Sequence, residues 1–200
     1  MELNANMVQT ISKPVTDVDV WLAEYREHIE PLGARVERVS TSTQAAAIIK
    51  EIAVEANAEV TVISAEAASA GPELLTELDR LRVTHMTPLA PEDSRDERLG
   101  VSLAKKAIAE TGSVLMAEPT LADRSTAMLT RTNITLCRTS DLVPSLVDAA
   151  AVLKAVAMQA GGGYATLITG PSRTADIEMS LTVGVQGPAR VVIIFIDDLT

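Results

Sequence analysis

Aromatic side chains make up only 2% of this 200-residue chain, so its core must be built from smaller apolar residues. The hydrophobic fraction is nevertheless 47%, which is too high for a chain that is disordered as a whole. No apolar run approaches the roughly 20 residues that a membrane-spanning helix needs. The first residues also lack the basic segment followed by an apolar segment that marks a secretory signal. These absences predict a globular cytoplasmic protein without a membrane span.

Cysteine occurs once, at Cys137, so an intrachain disulfide framework is excluded and a reducing compartment is favoured. One thiolate is also too few for an iron–sulfur cluster held by this chain alone. The two histidines, His28 and His85, have no neighbours at the spacing of a zinc site or a catalytic triad. The sequence therefore predicts no metal site and no cofactor in this chain.

Basic residues are scarce relative to acidic ones, 17 against 27, and the net charge is −10. Binding to a phosphate backbone requires clustered Lys and Arg side chains. Nucleic acid is therefore not an expected partner.

Apolar runs of strand length alternate with amphipathic segments of helix length along the whole chain. This pattern predicts an α/β fold with a mostly parallel, Rossmann-like sheet and helices on both faces. Residues 1–13 are expected to form a loosely ordered N-terminal arm, and residues 14–200 a single domain. The predicted strands are at 34–39, 60–63, 82–86, 113–116, 134–137, 165–168 and 191–196. The predicted helices are at 17–29, 41–56, 73–81, 101–110, 121–129 and 140–159.

The segment Tyr164–Pro188 concentrates polar residues between two apolar runs. Its pattern predicts a strand, a polar turn at Gly170, a short helix, a glycine turn and a second strand. Backbone N–H groups at the start of that helix would favour an anion, and Arg173 would add a positive charge. Ser172 and Thr174 would add hydroxyl donors. The alternative is a well-capped helix start with one surface arginine.

Three carboxylates are candidates for acid–base chemistry. Asp176 and Glu178 would point about 200° apart on a helix, but would share a face on an extended backbone. Glu110 precedes a second glycine turn, Thr111–Gly112, which leads into a strand. That carboxylate would face the Gly170 turn if the two strands are neighbours, and otherwise belongs to an ordinary helix end.

The stretches TGPSRTADIE and GVQGP in 169–188, together with AIAETGS in 107–113, resemble the recurrent motifs of the LUD-domain family. The resemblance is sharp over residues 101–200. It implies a fold similar to the NagB/RpiA/CoA-transferase group. It also implies a role in a cytoplasmic L-lactate utilization system, which oxidises lactate to pyruvate with partner subunits that carry the iron–sulfur clusters.

The resemblance also implies which residues form the site. Glu110, Asp176 and Glu178 are the candidate catalytic residues. A small carboxylate substrate would be bound by residues of the two glycine-rich motifs: Thr111, Gly112, Gly170, Ser172, Arg173, Thr174, Gly184, Gln186 and Gly187.

Two positions depart from the family pattern. Gln186 and Asn133 stand where histidine is common, and neither side chain titrates near neutral pH. One alternative is therefore a non-catalytic binding or assembly subunit. Another is a transferase- or ligase-like enzyme acting on a small carboxylate or an acyl-CoA, with Glu110 as nucleophile. A homo-oligomer is compatible with each of these hypotheses.

Overall fold

The computed structural model describes residues 17–159, 163–175 and 181–199, and the predicted arm at 1–13 lies outside these ranges. The strands of the described residues are β1 (Arg35–Val39), β2 (Thr61–Ile63), β3 (His85–Met86), β4 (Leu99–Leu103), β5 (Lys106–Ile108), β6 (Ser113–Met116), β7 (Thr132–Arg138), β8 (Leu142–Val143), β9 (Thr166–Ile168), β10 (Arg173–Ala175), β11 (Leu181–Val183) and β12 (Arg190–Ile196). The α-helices are α1 (Asp17–Ile29), α2 (Ser42–Glu55), α3 (Ala65–Ala70), α4 (Pro72–Arg80), α5 (Leu121–Leu129) and α6 (Ala150–Ala157). Within these ranges, every helix is too short or too polar to cross a membrane.

Six of the strands form one sheet in the order β1-β12-β7-β4-β2-β3. Every pair of neighbours in it is parallel. Parallel strands need crossover connections, and helices or longer segments supply them here. The predicted α/β fold with a mostly parallel sheet is therefore confirmed.

The side chains of β12 alternate between two hydrophobic clusters. Val192, Ile194 and Ile196 lie in the first cluster, with apolar residues of α2, α3 and α4. Val191, Ile193 and Phe195 lie in the second cluster, with residues of α1 and of a second sheet. Helices therefore cover both faces, as predicted, because every second side chain of a strand points to the same face.

The second sheet has four strands in the order β8-β5-β6-β9 and was not predicted. The predicted helix at 101–110 is wrong, since this stretch contains the end of β4, all of β5 and the start of a 3-10 turn. Ala and Lys favour a helix locally, but pairing with β6 and β8 decides the conformation.

The predicted helix at 140–159 is wrong over its first half. Leu142–Val143 forms β8, and α6 begins only at Ala150. Pro144 follows β8, and a proline inside a helix removes a hydrogen bond and clashes with the preceding turn. The helix therefore forms only beyond it, where Val152 and Leu153 pack on Ile108 and Leu115 of the second sheet.

A buried polar network joins β4 to β7. The Ser102 Oγ donates to the Asn133 Oδ1 at 3.2 Å, and the Asn133 Nδ2 donates to the Thr135 Oγ1 at 2.9 Å. All three side chains are 0% exposed. Asn133, predicted to lie just before the strand, is the second residue of β7 and contributes to the sheet rather than to an open site.

Gly100 lies in β4 where α5 packs closely on the sheet. A Cβ atom here would lie 2.6 Å from the Thr130 Oγ1 and 2.7 Å from the Thr126 carbonyl oxygen. Because the second contact is main chain, the Gly100→Ala variant must shift α5 away from the sheet. We expect the free energy of unfolding to fall by about 1–3 kcal/mol, measured by urea denaturation.

Gly71→Ala is the matched control. Its added Cβ would come no closer than 3.2 Å to a neighbour, the Leu74 Cβ, so its loss of stability should be clearly smaller. Equal unfolding midpoints for wild type and Gly100→Ala would contradict the close approach of α5.

Candidate functional site

The polar segment of the predicted site forms a β-hairpin. Arg173 of β10 pairs with Val183 of β11, and the strands are antiparallel. The helix predicted to begin in this segment is therefore wrong for Arg173 and Thr174, which are strand residues. Asp176 and Glu178 lie outside the described residues.

Ser172 binds the glycine-rich loop at both of its ends. Its N–H donates to the Pro188 carbonyl at 2.9 Å, and its own carbonyl accepts from the Gly184 N–H at 2.9 Å. A Cβ at Gly187 would lie 3.1 Å from the Ser172 Cβ, and Gly184 has a φ of +82°. The structure therefore brings Ser172, Gly184 and Gly187 together, and the two glycines allow the close approach.

Arg173 makes its hydrogen bond to the protein's own main chain. One of its Nη atoms donates to the carbonyl of Leu32, in the 3-10 turn that follows α1. Gly170, with a φ of +79°, packs on the same residue, since an added Cβ would lie 3.2 Å from the Leu32 Cβ. This contact fixes the Gly170 turn to the end of α1.

Glu110 also binds the main chain. One carboxylate oxygen accepts from the Leu146 N–H at 2.6 Å, and the Glu110 N–H donates to the Pro144 carbonyl at 3.0 Å. This carboxylate therefore holds the segment that leads into α6.

The two predicted glycine turns are neighbours in space. The Ser113 and Thr169 hydroxyls lie 2.6 Å apart, and β6 pairs with β9. Gly112 has a φ of +61° and leaves no room for a side chain, since an added Cβ would lie 2.9 Å from the His28 Cβ. Both turns thus pack against the C-terminal end of α1, which joins them through the protein itself.

A cleft of about 380 Å³ lies at the amino ends of β4, β7 and β12. It is lined by Gly184, Gln186 and Gly187 of the predicted site, with Asp96, Met128, Leu129, Thr130, Arg131, Val183, Val185 and Ala189. Glu110, Arg173 and the other described residues of the predicted site do not line it. Gly184, Gln186 and Gly187 of the predicted site therefore line this cleft. Gly112, Gly170 and Arg173 instead contact the end of α1 or the 3-10 turn after it.

Charged residues missed by sequence reasoning gather at the opposite end of the sheet. Glu66 follows β2, Lys105 follows β4, and Glu118 follows β6. In open α/β sheets, ligands bind beyond the carboxyl ends of the strands. This is the end at which the fold itself favours a site.

Glu118 is a buried carboxyl group, only 2% exposed, and its Oε1 has no hydrogen-bond partner among the described residues. Burial first, and then the nearby carboxylates of Asp123 and Glu66, raise the pKa of Glu118 to about 8. Lys105 and Arg124 lower this pKa but do not offset the burial. Glu118 therefore keeps its proton at neutral pH.

The three carboxyl groups of this cluster differ in how many hydrogen bonds they accept from neighbouring groups. Asp123 accepts from the Ala65 N–H and from the Thr120 hydroxyl, each at 2.6 Å. Glu66 accepts from Lys105 through Oε1, while its buried Oε2 has no partner in the part of the chain that the structure describes. Asp123 is thus occupied in joining α5 to α3, whereas Glu66 and Glu118 each have a free oxygen.

Arg124 fixes the main chain around Glu118. Its Nε donates to the Glu118 carbonyl at 2.8 Å and an Nη donates to the Pro119 carbonyl at 3.1 Å. The guanidinium carbon lies 4.4 Å from the centre of the Tyr164 ring, a cation–π contact. The position of Glu118 is therefore held by α5.

A groove of about 440 Å³ opens beside this cluster. Glu66, Lys105 and Gln159 are its polar lining, and apolar side chains form the rest: Ala117, Pro119, Ala151, Val152, Ala155 and Val156. Among the described residues, no group of three or more His, Cys, Asp or Glu side chains could hold a metal ion. The groove therefore has a mainly apolar lining that includes one acidic and one basic side chain.

The sequence indicates this cluster by charged residues that come shortly after buried strands. Glu66 comes three residues after the buried strand β2, and Glu118 two residues after β6. Lys105 is not recognisable as a residue that follows a strand when the stretch 101–110 is predicted to be a helix. The raised pKa of Glu118 arises from tertiary burial and has no local signature.

Comparisons with known proteins agree on one family. A model of the LUD domain matches residues 22–196. A protein named Lactate utilization protein C from Macrococcus caseolyticus is 37% identical over 103 residues, which cover 50% of this chain and 44% of that protein. Another of that name, from Bacillus velezensis, is 33% identical over 112 residues, which cover 54% and 45%. The chain spans about half the length of the curated relatives that it matches.

A solved structure shares the fold. The crystal structure of a DUF162 family protein from Deinococcus radiodurans matches with a TM-score of 0.61 at 20% identity. The match covers 92% of this chain and 99% of that chain. It therefore extends over nearly the whole fold.

The raised pKa of Glu118 predicts how stability depends on pH. The folded protein keeps this proton up to about pH 8, whereas in the unfolded chain the carboxyl titrates near 4.5. Unfolding then releases a proton, so the contribution of Glu118 to stability is full below pH 4.5 and falls as the pH rises to about 8. Between these two pH values the contribution of Glu118 to the free energy of unfolding changes by roughly 5 kcal/mol at most, at about 1.4 kcal/mol per pH unit.

In the Glu118→Gln variant this decrease in stability with rising pH should be absent, because an amide does not titrate. Its free energy of unfolding relative to wild type should therefore rise between pH 5 and pH 9, as measured by urea denaturation. Glu73→Gln, at an exposed position of α4, is the control and should follow the wild-type curve. Parallel curves for wild type and Glu118→Gln would show that Glu118 is ionised in the folded protein.

Proposed function

The chain belongs to the LUD domain family, and on that basis we propose that it functions in lactate utilization. The observation that carries the proposal is the similarity of half the chain to proteins named lactate utilization protein C, at 37% and 33% identity. In this proposal the chain is a subunit of a cytoplasmic system that oxidises L-lactate to pyruvate.

The oxidation removes two electrons from the substrate, and a partner has to accept them. Cys137 is the single cysteine of the chain and is fully buried in the core. We therefore assign the iron–sulfur clusters to partner subunits and the binding of a small carboxylate to this chain. Within this division we assign proton exchange to Glu118, a carboxyl group whose pKa lies near 8 and whose chain neighbours Ala117 and Pro119 line the groove.

A non-catalytic assembly subunit is the second candidate. It is favoured by the contacts of the recurrent motifs, because Ser172, Arg173 and Glu110 each hydrogen-bond to the protein's own main chain. Val183 and Val185 are also exposed beside the glycine-rich loop, at 46% and 60%. In this alternative the motifs fix a surface that docks onto the iron–sulfur subunits or onto a second copy of the chain.

A transferase- or ligase-like activity would use Glu110 as nucleophile. That carboxylate accepts a hydrogen bond from the Leu146 N–H and does not line the described cleft or groove. The described geometry therefore does not favour this activity.

The proposal predicts a growth defect. Deletion of the gene should abolish growth on L-lactate as sole carbon source and leave growth on pyruvate unchanged, because only the oxidation step is lost. Growth curves on the two carbon sources measure this, with the wild-type gene restored in trans as the positive control. Unchanged growth on lactate would remove the chain from lactate utilization.

Complementation with variants separates the two candidates. Glu118→Gln should fail to restore growth if the chain handles substrate, while Glu73→Gln should restore it. If both variants restore growth and the deletion does not grow, the Glu118 carboxyl has no part in the reaction and the assembly role is favoured.

A further inference from the structure

The cleft at the amino ends of β4, β7 and β12 collects exposed apolar side chains. Of the twelve large hydrophobic residues that are exposed in the described chain, four line this one cleft. Met128 and Leu129 belong to the end of α5, and Val183 and Val185 belong to β11 and the glycine-rich loop after it. An exposed apolar patch of this kind marks a surface that contacts another molecule.

Main-chain hydrogen bonds hold the parts of this cleft together. The Arg131 N–H donates to the Glu97 carbonyl at 2.9 Å, and the Arg131 carbonyl accepts from the Ala189 N–H at 2.9 Å. The segment before β4, the end of α5 and the glycine-rich loop are therefore joined before any partner arrives. Docking on such a preformed surface orders little of the chain, and this ordering is one of the main costs of association.

Two charged side chains of opposite sign line the same cleft. Asp96 and Arg131 are both exposed, and neither side chain forms an ion pair or a hydrogen bond with another described residue. Their charges cancel, so the cleft is neutral although the whole chain carries −10. A net charge of this size keeps copies of a protein apart, and a neutral apolar surface is where two copies can approach.

A surface that carries both an acid and a base is complementary to a copy of itself. In an interface with twofold symmetry, the contact between two residues occurs twice with the copies exchanged. Arg131 of each copy can therefore meet Asp96 of the other, and the exposed apolar side chains can meet between the two pairs. An arginine at such a position is also a residue type that often dominates binding energy.

We propose that this cleft is the interface of a homodimer with twofold symmetry. The inference rests on the assembly role considered above for the surface beside the glycine-rich loop, and it names a second copy of the chain as the partner. The cleft has eleven lining residues, fewer than the roughly 20–30 residues that each partner contributes to a standard interface. We therefore expect a reversible dimer that depends on protein concentration.

The test is sedimentation velocity of the full chain over a range of protein concentrations. The weight-average mass should rise from that of the 21.2 kDa chain towards twice this value. Arg131→Asp and Asp96→Arg should each weaken dimerisation by at least about tenfold, because each variant places like charges opposite each other. An arginine is tolerated at the Asp96 φ of +66°, since Arg82 of this chain has a φ of +57°.

Mixing the two variants gives the sharpest measurement. One copy then carries two bases and the other two acids at the paired positions, so both ion pairs are restored in the heterodimer. With one variant fluorescently labelled, the heterodimer should form as readily as the wild-type dimer. Because an unfolded variant could not be rescued by mixing, this recovery also shows that both variants are folded. Arg131→Gln removes the charge without reversing it and should weaken the dimer by a smaller factor.

Lys154→Asp is the matched control, because it changes the net charge as Arg131→Asp does at an exposed position of α6 outside the cleft. This variant should dimerise as the wild type does. A wild-type chain that stays monomeric at every concentration overturns the inference and leaves the surface to the iron–sulfur subunits. A dimer that neither charge reversal weakens also overturns it, because the copies then meet elsewhere.

The growth experiment separates this inference from the proposed function. A chain that dimerises through the cleft but is not required for growth on L-lactate keeps the interface and loses the role in lactate utilization. A monomeric chain that is required for this growth overturns the interface and leaves the proposed function standing.

Discussion

Strand β12 is buried on both faces, and both halves of the core are built against it. Three of its side chains enter the cluster with α2, α3 and α4, and the three between them enter the cluster with α1 and the second sheet. A strand in this position cannot slip by one residue without exchanging every contact on each face. The parallel sheet, the covering helices and the docking of the second sheet therefore all depend on the burial of one seven-residue strand.

The two ends of the main sheet have different chemical characters. At the amino ends, glycine turns and main-chain hydrogen bonds join the hairpin, β6 and α1, and the polar side chains there are largely used in holding the chain. At the carboxyl ends, Glu66 and Glu118 each have a buried oxygen without a hydrogen-bond partner among residues 17–159, 163–175 and 181–199. The recurrent motifs and the buried carboxyl groups thus occupy opposite ends of the main sheet.

The parallel sheet could be predicted because its strands are short apolar runs that alternate with amphipathic segments. The second sheet could not, because Lys106–Ile108 contains residues that favour a helix and becomes a strand only by pairing with β6 and β8. Pro144 argues against a helix that begins at 140 and continues through this residue. At the candidate site, the sequence leaves the adjacency of the two strands behind the glycine turns open, and the pairing of β6 with β9 makes them neighbours. The partners of Arg173 and Glu110 and the protonation of Glu118 depend on tertiary contacts that no local pattern encodes.

The polar network of Ser102, Asn133 and Thr135 has a further consequence for how the sheet forms. In a sheet of apolar side chains, a shift of two residues between β4 and β7 would still bury one hydrophobic residue against another. Such a shift would separate the Ser102 hydroxyl from the Asn133 amide and leave buried donors and acceptors unsatisfied, at about 1–3 kcal/mol for each group. The three polar side chains therefore specify the register of β4 and β7, because the observed pairing is more stable than a shifted pairing held by hydrophobic contacts alone.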